Sequence, residues 1–168
     1  RRYTTFREAG AKDIVDYNTN NIEKIPFHVV LIDELADVVD VDENLKLLTG
    51  LLAKARSAGI IFIAASQRMS KDLISGSIKS NFVTRICLKV LSIADSNLIT
   101  NQKVGEKLIG KGDGLLLKDG ALTHCQSPFV TTNDISKIDP AMGVGTTHGN
   151  ISTRPGRIDM VVEFPTMD

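Results

Sequence analysis

Two adjacent carboxylates, Asp33 and Glu34, end the aliphatic run Val29-Val30-Leu31-Ile32, and they are the strongest chemical feature of this 168-residue chain. An unbroken aliphatic run reads as a buried parallel strand with helices over both faces. Ligands of open α/β sheets bind beyond the carboxyl ends of such strands. There an Asp can hold Mg²⁺, directly or through water, and a following Glu can orient and activate a water molecule. This is the form of a nucleotide hydrolase's acidic strand. The glycine-rich GxxxxGK[ST] loop that cradles phosphates does not occur in these residues. One half of an ATP site is written and the other is missing. An isolated string of this kind could equally cap the helix that follows it.

Three further groups could join that chemistry. A second aliphatic run, Ile60 to Ala65, ends in Ser66, Gln67 and Arg68. Paired parallel to the first, it would bring both polar ends to one edge, where Gln67 could bond the γ-phosphate or the attacking water. Arg56 stands near the end of an amphipathic helix. An Arg in a last helical turn usually serves the helix dipole, and the sharper reading is an arginine finger acting on a neighbouring subunit. Between Arg68 and Lys89, five basic residues (Arg68, Lys71, Lys79, Arg85, Lys89) face one acid, Asp72. With little aromatic content among them, phosphate contact is favoured over base stacking.

The elements that must position these groups follow from pattern. Residues 1–9 read as a helix stopped at Gly10, and 18–21 as a polar loop. Pro26 marks the entry to a strand over 27–32. Residues 44–57 form an amphipathic helix with Leu45, Leu48, Leu52 and Ala55 on one face, widened by Leu47 and Leu51. Gly59 ends it before the strand 60–65. Strand, helix, strand with short connections predicts a parallel pair with a right-handed crossover. Further strands are expected near 82–91 and 115–117, a mixed, mostly helical stretch over 94–109, and a tight turn at Gly110–Gly114. A hairpin turn at Asp119-Gly120 leads to a return strand over 121–126. Residues 143–152 read as a linker.

Composition sets outer limits. Hydrophobic residues make up 42% and charged residues 24%, ordinary for a globular chain. No apolar run approaches the roughly 18–20 residues needed to span a bilayer. Cys87 and Cys125 form no metal-ligand spacing with each other or with His124, and Cys87 in an apolar run suggests inert burial. The formal net charge is zero, yet the charge is unevenly spread. Asp33, Glu34, Asp37, Asp40, Asp42 and Glu43 form a block without Lys or Arg, and for phosphate contacts local charge outweighs the total.

In order along the chain these pieces resemble the later part of the motor domain of FtsK/SpoIIIE-type DNA translocases. Arg2-Tyr3, Phe6, Ala9-Gly10, Ile14 and Tyr17-Asn18 resemble one family motif, and Pro26 with Val29 to Asp37 resembles the acidic strand. Leu51 to Ile60, Ala65 to Arg68, Ile74 to Arg85, Asp95-Ser96 and Leu108 to Leu115 resemble the rest. The resemblance implies an α/β, P-loop NTPase (RecA-like) core with a mainly parallel sheet, incomplete at its N-terminal side. It implies ATP and Mg²⁺ as cofactors, double-stranded DNA as partner and a homo-oligomer, a hexameric ring. By the same resemblance Asp33 is the Mg²⁺-linked acid, Glu34 the catalytic base, Arg56 the trans-acting finger and Gln67 the sensor. Lys79 and its neighbours fall near the pore loops; Arg68, Lys71, Lys79 and Arg85 are the candidate DNA contacts. Met69, Phe82-Val83, Asn97 and Gly114 depart from the family pattern, which suggests a divergent branch.

The opening Arg1-Arg2-Tyr3, without Met, and the absent phosphate loop lead us to expect a fragment. A cytoplasmic location, with a membrane tether outside the fragment, would suit such a motor. Residues 1–138 are expected to form the partial motor, and 139–168 a linker and tail. In that tail, Arg154 to Pro165, with Thr131-Thr132-Asn133 and Ile138 to Ala141, resembles AAA-type ATPases. Two alternatives therefore stand beside the DNA motor: an AAA-type remodelling ATPase fragment, and a non-catalytic DNA-binding remnant.

Overall fold

In the computed structural model, residues 1–68, 76–137 and 161–164 are described. They fall into two compact units, residues 1–66 with the strand 161–164, and residues 67–137.

The first unit begins with α1 (Arg2–Glu8) and α2 (Ile14–Asn20). Gly10, at φ +68, breaks the helical course between them. Asp13 caps α2, its side chain accepting from the Asp16 N–H. The polar stretch 18–21 is therefore mostly helix rather than loop. Its amides are used locally: Asn20 bonds Asp16, while Asn18 both accepts from the Ile25 N–H at 2.8 Å and donates to the Ile25 carbonyl at 2.9 Å. Polarity here marks a helix end that ties down the following turn.

Strand β1 (Phe27–Ile32) pairs parallel with β2 (Ile60–Ala64), His28 beside Ile60 through Ile32 beside Ala64. Between them run α3 (Leu35–Val39), a short helix not anticipated from the pattern, and α4 (Asp42–Ala55). Leu48, Leu52 and Ala55 of α4 are buried, as the spacing predicts, but Leu47 and Leu51 are exposed, so the apolar face is not widened. Coverage of β1 and β2 on both faces is likewise incomplete. Leu31, Ile61 and Ile63 share one face by register, and they remain 39%, 39% and 55% exposed. The single crossover lays α4 on one side of the pair only. Strand β6 (Val161–Phe164) pairs antiparallel with the free edge of β1, giving the order β2-β1-β6.

The second unit contains α5 (Gly76–Asn81), β3 (Arg85–Leu88), α6 (Ile93–Thr100), β4 (Asp113–Lys118), β5 (Ala121–Gln126) and α7 (Thr132–Ser136). Its sheet, β3-β4-β5, is wholly antiparallel. The hairpin turn is where the sequence puts it, Asp119 and Gly120 both taking positive φ (51° and 79°). Cys87, Ile99, Leu108 and Leu115 form the core of the unit. Burial, with Glu106 nearby, pushes the Cys87 thiol up from its ordinary pKa, consistent with an inert role. Cys87 pairs with Leu115 and Cys125 with Gly114. Adjacent residues of β4 point to opposite faces, so the two thiols are on opposite sides and both are free.

Buried Ser96 organises the loop after α6. Its hydroxyl donates to the Gln102 carbonyl at 2.6 Å and accepts from the Val104 and Gly105 N–H groups at 3.0 and 2.7 Å. The buried Asp113 carboxylate closes the turn at Gly110–Gly112, accepting from the Ile109 N–H at 2.8 Å and meeting His124 Nε2 at 2.5 Å. No helix among the described residues is long and apolar enough to cross a membrane.

Two outcomes follow. Gly59 has φ +72, and a Cβ there would lie 2.1 Å from Ile14 Cδ1. Gly59→Ala should therefore lower stability by about 1–3 kcal/mol, read as an earlier urea midpoint at unchanged slope. The Ile109 N–H, with help from His124, holds the Asp113 carboxyl below the ordinary carboxylate range. A depressed folded-state pKa means that stabilisation is complete above the unfolded value, about 3.9, and is lost as pH falls through the folded one. The Tm of the wild type should drop in that acid window, and Asp113→Asn should flatten the drop.

Candidate functional site

The parallel register fixes the site. Beyond the last paired residues, the Ala65 N–H donates to the Ile32 carbonyl and the Leu35 N–H to the Ala65 carbonyl, both at 2.8 Å. The chain segments leaving β1 and β2 are thus held side by side at one carboxyl edge, where Asp33, Glu34 and Ser66 collect. Continuing the register of Ile32 with Ala64 places residue 34 opposite residue 66. The Ser66 hydroxyl indeed donates to Glu34 Oε1.

The same oxygen accepts from the Ala36 N–H at 3.1 Å, so Glu34 is the N-cap of α3. The capping role that the sequence left open is realised, and it orients the carboxylate at the mouth of the edge. Asp33 is exposed and has no side-chain partner among the described residues. An unencumbered Asp oxygen at a strand's carboxyl end suits Mg²⁺, which is commonly held by one or two carboxylates together with substrate phosphates. Gln67 is the next residue after Ser66, exposed, and belongs to the second unit. The sequence brings Ser66 to this edge with Gln67 and Arg68 but gives it no role; extending the strand register by two residues would have paired it with Glu34.

Arg56 lies elsewhere. It follows α4 with helical backbone angles, its side chain exposed and without a partner among the described residues. Since α4 returns the chain to the start of β2, Arg56 stands at the amino end of the strand pair. The acid pair is at the carboxyl end, a strand length of five residues away, about 17 Å. A network of non-local bonds holds the Arg56 corner. Arg2 donates to the Ala58 carbonyl at 2.7 Å and the Pro26 carbonyl at 2.8 Å. The Tyr3 hydroxyl donates to the Lys54 carbonyl at 2.6 Å and meets the Ser57 hydroxyl, and the Ile14 N–H bonds the Ser57 carbonyl at 3.0 Å. Arg2 and Tyr3 therefore position the turn on both sides of Arg56, a role that no local pattern could reveal.

Of the four candidate DNA contacts, Lys71 lies outside the described residues. So do Arg154 and Arg157 of the tail. Arg68 is exposed. Lys79 and Arg85 come together at the corner between α5 and β3, where Arg85 Nη1 donates to the Lys79 carbonyl at 3.2 Å. Burial and the Arg85 charge both push the Lys79 pKa down, and burial lowers that of Arg85.

No family model matches the chain. Known proteins do. The chain is 39% identical over 150 residues to the DNA translocase SftA of Bacillus subtilis, covering 82% of this chain and 15% of that protein. It is 40% identical over 165 residues to the DNA translocase FtsK of Rickettsia prowazekii, covering 96% of this chain and 21% of that one. Among solved structures, the pCW3 conjugation coupling protein TcpA with ATPγS aligns at a TM-score of 0.67 and 28% identity, over 74% of this chain and 39% of TcpA. The chain thus spans about a fifth or less of the length of these curated relatives. The fold is the α/β architecture of P-loop ATPases, with its parallel pair carrying the acidic strand. Over about four-fifths or more of its length, this chain is homologous to a segment of the FtsK/SpoIIIE-type DNA translocases.

Proposed function

We propose that this chain is part of the motor of an ATP-dependent double-stranded DNA translocase, and that its catalytic groups are shared between neighbouring subunits of a ring, a hexamer by family resemblance. The observation that carries the reading is the separation of Asp33-Glu34 from Arg56 at opposite ends of one parallel strand pair. A single subunit cannot close that distance without dismantling the pair. Across an interface, the Arg56 of one copy can reach the acidic edge of the next.

In this reading the Glu34 carboxylate, aimed by the Ala36 N–H and the Ser66 hydroxyl, accepts a hydrogen bond from the attacking water and polarises it. Asp33 would hold Mg²⁺ through water, and the ion, when bound, neutralises charge on the phosphate oxygens. Arg56 from the neighbour balances the charge that builds on the transferring phosphoryl group. Gln67, leaving the same strand end as Ser66, would report the γ-phosphate to the second unit that it begins. Arg68, Lys71, Lys79 and Arg85 belong to that unit and would give it the basic charge that draws in the phosphate backbone without reading bases. The reading requires a GxxxxGK[ST] loop in the longer protein, since these 168 residues do not hold one. It also sets the motor in the cytoplasm, with any membrane tether contributed from elsewhere.

The upstream coding sequence is the first test: without such a loop the ATPase half of the proposal fails. In the protein that carries it, Glu34→Gln should lower DNA-stimulated ATP hydrolysis by about 10²–10⁴-fold. Arg56→Ala should lower it by about 10³–10⁵-fold. Mixing the two inactive variants should restore part of the activity, because an Arg56→Ala subunit supplies an intact acid pair to a Glu34→Gln subunit that supplies an intact arginine. Failure of the mixture to recover would exclude the shared site, and full activity of Glu34→Gln would exclude the acid pair.

A further inference from the structure

The six described residues of helix α5 are too few to hold themselves helical in water without packing. One face is anchored by Ile78, 2% exposed. Its last turn ends in carbonyls that have no intrahelical partner, and one of these, on Lys79, accepts from Arg85 across the corner into β3. The rest of the Arg85 side chain is committed inward. It is half-buried, and its Nε is buried without a hydrogen-bond partner. Neither Arg85 nor Lys79 has an acidic partner among the described residues. Two cations are held together, and no acid among the described residues compensates the repulsion.

The two side chains differ in what they can still do. Arg85 has a planar, rigid guanidinium with Nη1 on the Lys79 carbonyl and Nε turned into the protein, so its orientation is tied to the corner rather than free to follow a ligand. Lys79 has a flexible stem and three rotatable donors on a partly exposed head. We propose that Arg85 is a positioning residue and Lys79 the phosphate contact: Arg85 holds the end of α5 so that the Lys79 ammonium is presented to a phosphate of the duplex backbone. This rests on the DNA-translocase reading and divides two residues that sequence reasoning had grouped together. An approaching phosphate relieves the repulsion between the two cations. Burial, together with the neighbouring Arg85 charge, also makes Lys79 give up its proton more readily than an ordinary lysine, so duplex affinity should fail at lower pH than a common lysine contact would.

The test is the salt dependence of duplex binding by this chain, measured for the wild type, Lys79→Gln, Arg85→Gln and the double variant. Each phosphate contact contributes about 0.9 to the slope of log affinity against log salt. Lys79→Gln should lower the slope by about that amount. Arg85→Gln, whose amide can still donate to the Lys79 carbonyl, should leave the slope unchanged and move the alkaline loss of affinity to higher pH. The double variant should match Lys79→Gln in slope. A separate measurement on the wild type guards against misfolding of a variant: phenylglyoxal should modify Arg85 equally with and without duplex, while acetylation of Lys79 should be suppressed by duplex. A further drop of about 0.9 in Arg85→Gln, or protection of Arg85 by duplex, would overturn the division of roles and leave the DNA reading standing. No duplex binding by the wild type, or a slope indifferent to Lys79, would overturn both.

Discussion

The in-register parallel pairing of β1 with β2 is the constraint on which the rest of the first unit depends. Ten backbone positions in two aliphatic strands set the register, and the next two bonds, Ala65 to Ile32 and Leu35 to Ala65, carry it past the strand ends. A slip of one residue would turn every side chain to the other face and would separate Ser66 from Glu34. The same pairing forces a crossover between the strands, and that crossover is α3 and α4. One geometrical decision therefore produces both a carboxyl edge with an oriented acid and an amino edge with an arginine.

The acidic block illustrates how one stretch serves two ends. Asp37 lies in the first turn of α3, and Asp42 and Glu43 in the first turn of α4, where negative charge is favoured by the helix dipole. Their structural explanation is sufficient, and they need no catalytic role. Glu34 differs because its cap bond is joined by a second donor from the neighbouring strand. Asp33 differs because it is exposed at the strand end without a side-chain partner among the described residues. Six acids close together in sequence thus separate into helix-stabilising and site-forming groups once the backbone is known.

Sequence pattern made β1 and β2 legible as aliphatic runs, β5 through the Asp119-Gly120 turn, and α4 through the spacing of Leu48, Leu52 and Ala55 on one buried face. Its failures have physical causes. Asn18 to Asn21 looked like a loop because asparagine is usually found where backbone groups lack partners, yet here Asp13 supplies a cap, Asn20 bonds back to Asp16 within the helix and Asn18 bonds Ile25 beyond it. Leu47 and Leu51 looked like core because leucine on a helix edge commonly is, and only the position of the sheet leaves them exposed. α3 escaped notice because five residues carry no period. Asp33, Glu34 and Arg56 were legible as types. The bond from Ser66 to Glu34 and the strap from Arg2 and Tyr3 were not, since they are pairings 32 and more than 50 residues distant in sequence.

A formal net charge of zero would ordinarily argue against a nucleic-acid partner, and the structure shows why that inference is too coarse. Charges matter at about the Debye length, roughly 10 Å at moderate salt, and the acids cluster in the first unit while Lys79 and Arg85 stand together in the second without acidic partners among the described residues. Electrostatic self-repulsion within a folded unit is a cost, small for exposed groups and larger when one of them is half-buried, as Arg85 is. A corner that keeps two cations together, and uses one to hold the other's backbone, has an arrangement that an anion improves. The excess of acid in one unit and the excess of base in the other therefore each have their own preferred counter-charge, and their sum describes neither.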